Sequence, residues 1–403
     1  MRRDATKCLI LTMVCAFFSA SASAQAASCQ GGASFEAWLA SFKKEAVAQG
    51  ISPGTVNSAL ANVSFSQDVV NRDRRQSVFA QDFLTFANRM VAKYRLQKGA
   101  QLMQKYASTF SRVEKQYGVP APVIVAFWGL ETDFGANIGD MPTLTSLATL
   151  AYDCRRPDLF RHQLLSALRI IDRGDLRADE MRGPWAGELG QTQFLPAHYV
   201  DYAVDFDGDG RRDLLRSVPD VLASSANYLK HLGWRGGEPW LEEVRVSSSI
   251  PWGQADIATQ HSRAQWAAWG VTRANGKALP KDKLPASLLL PMGRDGPAFL
   301  AYPNFQVYLT WNQSLVYSTT AAYFATRLAG AGPVSGGKGV ASLNLQQTKE
   351  LQKLLVRQGF DVGKIDGILG AQTRAAVKAM QIKFGMPADS YPTEEFLARL
   401  RGG

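Results

Sequence analysis

The chain has 403 residues, and its 45 Lys and Arg residues outnumber its 35 Asp and Glu residues, which gives a formal charge of +10. A hydrophobic content of 46% with 10% aromatic residues is enough for a large core and excludes a wholly disordered chain. The length indicates two or three packed units. Four cysteines exclude a disulfide-dense small scaffold, and the sequence has neither a CxxC nor an HxxxH pair for a zinc site.

The first residues have the pattern of a secretory signal peptide. Basic residues come first, an apolar run follows, and small residues form a cleavage site. These segments are Arg2, Arg3 and Lys7, then 8–20, then Ala22-Ser23-Ala24. The apolar run is too short to span a bilayer, which takes about 20 residues. We therefore expect 1–24 to be a signal peptide; the alternative is an amphipathic N-terminal helix.

Removal of the signal peptide would leave two cysteines, Cys29 and Cys154. Two thiols in an oxidising compartment tend to pair, so we expect a Cys29–Cys154 disulfide that ties down the mature N-terminus. The alternative is a lipid on Cys29. The preceding Ala26-Ala27-Ser28 lacks the large aliphatic residue that is typical of a lipoprotein signal.

Apolar spacing predicts a mainly helical chain with one extended region. The predicted helices are 35–60, 79–106, 110–117, 120–134, 158–173, 219–232 and 313–329. From about 239 to 310 the chain is rich in Pro and Gly, and the short apolar runs Leu288–Leu290 and Val307–Leu309 suit strands or extended loops. A Gly-rich linker over 331–341 then precedes a segment, 342–403, with its own helical periodicity.

One carboxylate lies at the end of an unusually apolar helix. Glu131 follows the run Val123–Leu130, with Phe127 and Trp128 one turn back on the helix. Burial against aromatic surface would raise the pKa of Glu131, and a carboxyl that keeps its proton near neutral pH can act as a general acid. Asp133 is near in sequence but should point elsewhere, and no second acid stands out in a comparable setting. A mechanism with a single carboxylate therefore fits the pattern better than a glycosidase with two.

Several spaced motifs make the resemblance to a known family specific. They are Gly129-Leu130-Glu131-Thr132-Asp133-Phe134-Gly135, the segment Gly183–Pro196, the segment Tyr202–Gly210, Ala226–Lys230, Asn304-Phe305 and Trp311-Asn312-Gln313-Ser314. Over about 33–330 the chain resembles the membrane-bound lytic transglycosylase B family, which cleaves bacterial peptidoglycan. The resemblance implies a lysozyme-like helical core with small β or extended insertions.

The same resemblance implies the reaction. The family cleaves the β-1,4 bond between N-acetylmuramic acid and N-acetylglucosamine without water and forms a 1,6-anhydromuramic acid end. Glu131 stands at the position of the family's single acid and base, and catalysis would need no cofactor. The periplasm is the implied compartment, and the implied partners are the glycan strands and stem peptides of peptidoglycan. Proteins of cell-wall synthesis or division are possible further partners that the sequence does not identify.

Further residues are assigned by the family's motifs. Gln193 matches a glutamine that contacts the substrate, Asn312 matches an asparagine of a Tyr-Asn-x-Ser element, and Tyr228 and Tyr317 match tyrosines of the cleft. Trp311 replaces the usual tyrosine of that element; it can stack on a sugar but cannot donate a hydroxyl hydrogen bond. Ordinary packing or helix capping is the alternative for these residues. Pro184 stands where some members have a serine, so no serine role is carried over.

An acidic loop follows the pattern of a calcium site. Asp205, Asp207 and Asp209 occupy positions 1, 3 and 5 of an EF-hand-like loop with Gly at position 6, although position 12 is Arg216. The ligands of a longer family loop would be these three carboxylates, the carbonyl of Arg211, and Asp220. The ion would be structural. The alternative is a turn held by its own hydrogen bonds, with Arg211, Arg212 and Arg216 neutralising the acids.

The C-terminal segment, 342–403, resembles the three-helix type of peptidoglycan-binding domain. The motif Asp366-Gly367-Ile368-Leu369-Gly370-Ala371-Gln372-Thr373-Arg374 carries this resemblance. The segment would hold the catalytic part near an insoluble polymer; a generic helical dimerisation module is the alternative. For the whole chain, the competing interpretations are a non-catalytic wall-binding scaffold and a nucleic-acid-binding protein. The second rests on charge alone, and no dense basic tract supports it.

Overall fold

The computed structural model describes residues 33–75, 81–337 and 341–402. These residues form 17 helices and seven short strands, which confirms the mainly helical prediction. The expected signal peptide and Cys29 lie outside the described residues, so the Cys29–Cys154 pairing stays a prediction, although Cys154 is disulfide-bonded. None of the helices in the described part of the chain combines the length and apolar character that crossing a bilayer requires.

The first part of the chain is almost entirely helical. Its helices are α1 (Phe35–Ala48), α2 (Pro53–Ala59), α3 (Gln67–Arg74), α4 (Phe83–Met90), α5 (Lys93–Lys105), α6 (Ala107–Tyr117), α7 (Ala121–Thr132), α8 (Thr143–Tyr152), α9 (Pro157–Asp172), α10 (Pro196–Tyr202) and α11 (Val218–His231). Two short strands, β1 (Met141–Pro142) and β2 (Arg182–Gly183), pair antiparallel. The predicted helix 35–60 is two helices, because Gly50 has a left-handed φ of 89° and Pro53 begins a new helix.

The region from 239 to 310 is a small sheet with added helices. The strands are β3 (Leu241–Arg245), β4 (His261–Ser262), β5 (Thr272–Arg273), β6 (Pro285–Leu289) and β7 (Ala298–Ala301). All pairs are antiparallel in the order β4-β6-β7-β3-β5. Helix α12 (Arg263–Ala268) lies in this region, and α13 (Pro303–Trp311) and α14 (Leu315–Leu328) follow it. The prediction of an extended run at Val307–Leu309 was wrong, because Pro303 begins a helix that contains this run.

Helix α7 lies at the centre of the larger of two cores in the first unit. Residues Val123–Leu130 are all buried, so the helix is surrounded by protein and not amphipathic. It packs on α14, α5, α11 and α6. A second core forms around α8 and α9, with Leu147 and Leu164 fully buried. A cleft lies between these two cores, and it contains the candidate site.

The C-terminal unit has three helices and its own core. They are α15 (Leu345–Arg357), α16 (Ala371–Lys383) and α17 (Glu394–Arg401). Leu351, Leu355, Val377 and Phe396 are fully buried between them. Asn344 and Gln347 form a capping box at the start of α15, which explains why the helix begins there. The three-helix prediction for this unit is confirmed.

The C-terminal unit contacts the sheet through a buried arginine. Arg374 of α16 donates hydrogen bonds to the carbonyl oxygens of Leu290 (3.2 Å) and Pro291 (2.6 Å), just after β6. Beside it, Lys378 Nζ lies 2.9 Å from Asp256 Oδ2. These contacts hold the C-terminal unit against the sheet region.

We predict that Arg374→Ala loosens this contact. The variant loses two charge-assisted hydrogen bonds of about 1.5–3 kcal/mol each at most. Trypsin should then cleave after Lys338, in the predicted linker, several times faster than in the wild type. The matched control is Arg401→Ala, which removes an exposed ion pair with Glu350 inside the same unit. Equal cleavage rates for Arg374→Ala and the control would contradict the prediction.

Candidate active site

The cleft between the two cores has Glu131 in its wall. Its volume is about 370 Å³, and its lining combines polar and aromatic groups. The residues are Glu131, Pro184, Trp185, Glu188, Gln193, Phe194, Leu195, His198, Tyr228, Trp311 and Asn312. Of the six residues predicted for catalysis and substrate binding, five therefore line one cleft. The sixth, Tyr317, contacts Glu131 directly.

Glu131 is held by two donors on the same oxygen. The indole N–H of Trp311 donates to Glu131 Oε1 at 3.0 Å, and the hydroxyl of Tyr317 donates to that oxygen as well. Ser314 caps α14 by accepting from the backbone N–H of Tyr317, which fixes the start of this helix. The other oxygen, Oε2, is left for chemistry in the cleft.

The environment of Glu131 favours the protonated carboxyl. Burial raises the pKa of Glu131, the hydrogen bonds from Tyr317 and Trp311 lower it, and the nearby Glu188 raises it again. Burial is the largest of these causes, and the net direction is upward. The group therefore keeps its proton to a higher pH than a free glutamate does, as a general acid requires.

The aromatic surface around Glu131 comes from a distant segment. Spacing along α7 pointed to Phe127 and Trp128 as neighbours of the carboxyl. In the structure Phe127 supports the site by packing against Trp311, with ring centroids 4.4 Å apart and the ring planes tilted by 31°. Trp128 Nε1 donates to Gln191 Oε1 at 2.8 Å. Trp311 thus supplies an indole N–H bond to Glu131, whereas the sequence indicated only that Trp311 can stack on a sugar and lacks the tyrosine hydroxyl.

Asp133 does not take part in the cleft, as predicted. It adopts a left-handed conformation (φ 54°) at the end of α7, and Arg95 Nε lies 3.0 Å from its Oδ1. This turn ends the helix at Thr132, one residue after Glu131. The carboxyl therefore stands at the helix terminus, where it can reach the cleft.

Gln193 and Asn312 line the cleft, and each also forms a hydrogen bond within the protein. Gln193 Nε2 donates to the carbonyl of Gly190 at 2.9 Å, and its backbone has a left-handed φ of 53°. A non-glycine residue in this conformation is often found at functional sites. Asn312 Oδ1 accepts from the N–H of Ser314 at 2.9 Å. Capping thus accounts for part of Asn312 but leaves its amide N–H groups available.

Tyr228 belongs to an aromatic wall. Its ring centroid lies 5.3 Å from that of Trp311, 4.6 Å from that of His198 and 4.8 Å from that of Tyr202. Flat aromatic surface beside polar groups is suited to the apolar faces of sugar rings. His198 was not anticipated from the sequence, because a lone histidine at the start of a helix carries no signal of its own.

A second carboxyl, that of Glu188, also lines the cleft, so the expectation that Glu131 is the only acid in such a setting was wrong. The sequence analysis found no second acid in a setting comparable to that of Glu131. Glu188 stands in the segment Gly183–Pro196, and burial raises its pKa as well. The sequence did carry one signal for Glu188, because this residue lies between Gly187 and Gly190 in the motif segment Gly183–Pro196.

The acidic loop brings together three of its predicted ligands. Carboxylate oxygens of Asp205, Asp207 and Asp209 lie within 4.8 Å of one another. Asp220 does not join this group. It is buried, and it accepts backbone N–H bonds from Phe206 at 2.7 Å and Asp213 at 2.8 Å.

Two of the three arginines near the loop, Arg212 and Arg216, have other partners. Arg216 pairs with Glu180 (2.8 Å) and Asp213 (2.7 Å), and Arg212 pairs with Asp175 (3.2 Å). Neither of these arginines is therefore needed to neutralise Asp205, Asp207 and Asp209. The three clustered carboxylates are the hard oxygen donors that calcium prefers.

Comparisons with known proteins agree with this geometry. Residues 34–326 match the transglycosylase SLT domain, and 344–400 match a peptidoglycan binding domain. Membrane-bound lytic murein transglycosylase B of Escherichia coli is 30% identical over 237 residues, which span 59% of this chain and 64% of that relative. The chain thus spans slightly less than two thirds of this relative.

Solved structures extend the likeness. SltB3 from Pseudomonas aeruginosa, in complex with NAG-anhNAM-pentapeptide, is 41% identical, with a TM-score of 0.86 over 92% of this chain and 100% of that chain. The E. coli lytic transglycosylase Slt35 in complex with calcium is 27% identical, with a TM-score of 0.62 over 72% of this chain and 92% of that chain. The catalytic part therefore has the lysozyme-like SLT fold.

We predict that Tyr317→Phe raises the pKa of Glu131 further. The lost hydroxyl stabilises the charged carboxylate, so its removal favours the protonated form. A ¹³C NMR titration of protein with labelled glutamate side chains would measure the change. Tyr308→Phe is the matched control, because this buried hydroxyl has no hydrogen-bond partner and its ring stacks on Phe127. A pKa of Glu131 that stays the same or falls in Tyr317→Phe would be the opposite result.

Proposed function

Because the chain belongs to the transglycosylase SLT domain family, we propose that it is an exported lytic murein transglycosylase with Glu131 as its single acid and base. Its substrate is the β-1,4 bond between N-acetylmuramic acid and N-acetylglucosamine in peptidoglycan. The observation that carries the proposal is the buried carboxyl of Glu131, with Oε1 bound by two donors, in the wall of an open cleft.

In the first step Glu131 acts as an acid. Its proton moves to the glycosidic oxygen, the bond from that oxygen to C1 of the muramoyl residue breaks, and the N-acetylglucosamine part leaves with a free 4-hydroxyl. The acetamido oxygen of the muramoyl residue stabilises the positive charge at C1. Burial of Glu131 supports this step, since it keeps the carboxyl protonated before the reaction.

In the second step the Glu131 carboxylate acts as a base. It takes the proton of the muramoyl 6-hydroxyl as that oxygen forms the bond to C1, which closes the 1,6-anhydro ring. Glu131 returns to its protonated form, and no water is consumed. The donors Trp311 and Tyr317 stabilise the anionic carboxylate that exists between the two steps.

The remaining cleft residues bind and orient the glycan. Gln193 and Asn312 offer amide groups to sugar hydroxyls and N-acetyl groups. Tyr228 and Trp311 offer aromatic faces for sugar rings. Tyr317 lies behind Glu131 and acts by positioning it.

The domain assignment completes this scheme. Residues 1–24 are the signal peptide, 33–330 the catalytic domain, 331–341 the linker and 342–403 the peptidoglycan-binding domain. Export to the periplasm places the enzyme at its polymer, and the oxidising compartment there favours the Cys29–Cys154 disulfide. The C-terminal domain raises the local concentration of the cleft on the wall.

Product analysis of digested sacculi tests the proposed reaction. The wild type should release muropeptides that end in 1,6-anhydromuramic acid, identified by mass spectrometry, and Glu131→Gln should lower turnover by at least a thousandfold. Asp133→Asn is the matched control, because this acid lies two residues on and pairs with Arg95 outside the cleft. Undiminished turnover by Glu131→Gln would remove Glu131 from its role, and an inactive wild type would favour a binding scaffold.

Glu188 favours one second candidate function, a hydrolytic muramidase. Two carboxyls in one cleft are the usual equipment of glycosidases that use water or a covalent intermediate. The same digest distinguishes the two functions, because hydrolysis leaves a reducing end in place of the anhydro ring.

We also propose that the acidic loop binds a structural calcium ion. Asp205, Asp207 and Asp209 would hold the ion together with the carbonyl of Arg211, and Asp220, the fifth ligand expected from the sequence, is not among the clustered carboxylates. In the structure Asp220 instead bonds the loop backbone, which supports a role in shaping the loop. Catalysis needs no ion in this scheme.

Calcium should raise the melting temperature of the wild type relative to protein in EDTA. A ligand that binds only the folded state at 100 times its dissociation constant adds about 2.7 kcal/mol to the free energy of unfolding. Asp209→Asn should abolish most of this difference in a calorimetric scan. Asp179→Asn, which changes an exposed acid outside the loop, should retain it. A wild type that melts at the same temperature in calcium and in EDTA would exclude the ion.

A further inference from the structure

Glu188 has an oxygen that the folded protein does not use. Its Oε2 atom is buried and has no hydrogen-bond partner among the described residues. A buried carboxylate oxygen without a donor costs free energy, because it has lost its bonds to water. Such a group in a native structure calls for an explanation, and a ligand that supplies a donor is one.

The backbone around Glu188 is firmly placed. The next residue, Leu189, exchanges two backbone hydrogen bonds with Phe194, at 2.8 and 2.9 Å. A Cβ on Gly183 would lie 2.0 Å from the carbonyl oxygen of Glu188, so only glycine permits this close approach. The segment therefore presents Glu188 to the cleft in a fixed position.

The charged groups near Glu188 do not explain it as a structural residue. Arg156 is close enough to lower its pKa, but the guanidinium of Arg156 pairs with Asp73. Glu131 is the other nearby charge, and it has the same sign when ionised. The backbone N–H of Glu188 itself donates to the carboxyl, which still leaves Oε2 without a hydrogen-bond partner.

We propose that Glu188 is a substrate-contacting residue whose free carboxylate oxygen accepts a hydrogen bond from a hydroxyl or amide N–H of the glycan. The inference rests on the proposed function and names a further contact of the same cleft. An amino-sugar polymer has such donors along its whole length. Because the folded protein gives this oxygen no partner, it gains one only when the glycan is present.

The position of Glu188 places the proposed contact close to Glu131 and therefore close to the bond that reacts. It lines the same cleft as Glu131, Gln193 and Asn312, and its charge acts on Glu131. Gln193 and Asn312 carry amides, which both donate and accept. The unpartnered oxygen of Glu188 would accept from a donor at one point of the bound sugar, and a glycan with that donor blocked should bind less tightly.

Calorimetry with a β-1,4-linked hexamer of N-acetylglucosamine tests the contact without turnover. In a Glu131→Gln background, the further change Glu188→Ala should weaken binding of the hexamer about tenfold or more. Glu188→Gln keeps an acceptor oxygen and should recover part of the loss. Glu238→Ala is the control, since Oε2 of Glu238 is also buried without a hydrogen bond, 3.7 Å from Arg235 Nη1, but this residue does not line the cleft.

Kinetics on sacculi supply the second readout. With Glu131 intact, Glu188→Ala should lower kcat/KM about tenfold with unchanged melting temperature and unchanged product chemistry. Unchanged or tighter hexamer binding by Glu188→Ala, or a Glu188→Gln variant as weak as Glu188→Ala, overturns the acceptor role. If the wild type itself releases nothing from sacculi, the proposed function fails; the calorimetry still decides whether Glu188 contacts a glycan.

Discussion

The burial of one carboxyl at the end of an apolar helix is the constraint on which the site depends. Helix α7 is buried on all sides, so it cannot tilt or slide without disturbing the whole core. Its last turn places Glu131 beside Trp311 and Tyr317, which come from the junction of α13 and α14. The core thereby supplies both the low polarity that keeps the proton and the donors that receive the anion.

Local patterns predicted much of this arrangement. The unbroken apolar run Val123–Leu130 predicted a buried helix and an unusual carboxylate, because both follow from the identity of adjacent residues. The motif resemblance then predicted the cleft residues Gln193, Tyr228 and Asn312, which the structure brings together. The fresh apolar periodicity beyond the Gly-rich segment likewise predicted a separate three-helix unit.

What could not be predicted depends on contacts between distant segments. Nothing in the spacing of α7 shows that Trp311, some 180 residues away, donates to Glu131. The extended reading of Val307–Leu309 was wrong because short apolar runs do not distinguish a strand from a buried helix. Glu188 was overlooked since burial of a single acid in a loop is set by tertiary packing, and the docking of Arg374 on the sheet is of the same kind.

The two donors fix Oε1 of Glu131 in place and leave Oε2 as the oxygen that exchanges protons with the substrate. Under the proposed mechanism the proton leaves from Oε2 and a different proton returns to the same atom. The glycosidic oxygen and the 6-hydroxyl must then occupy the same point in turn. Since the two donors hold the carboxyl in place, the muramoyl ring must move between the two steps. The shape of the cleft around this ring then directs the movement.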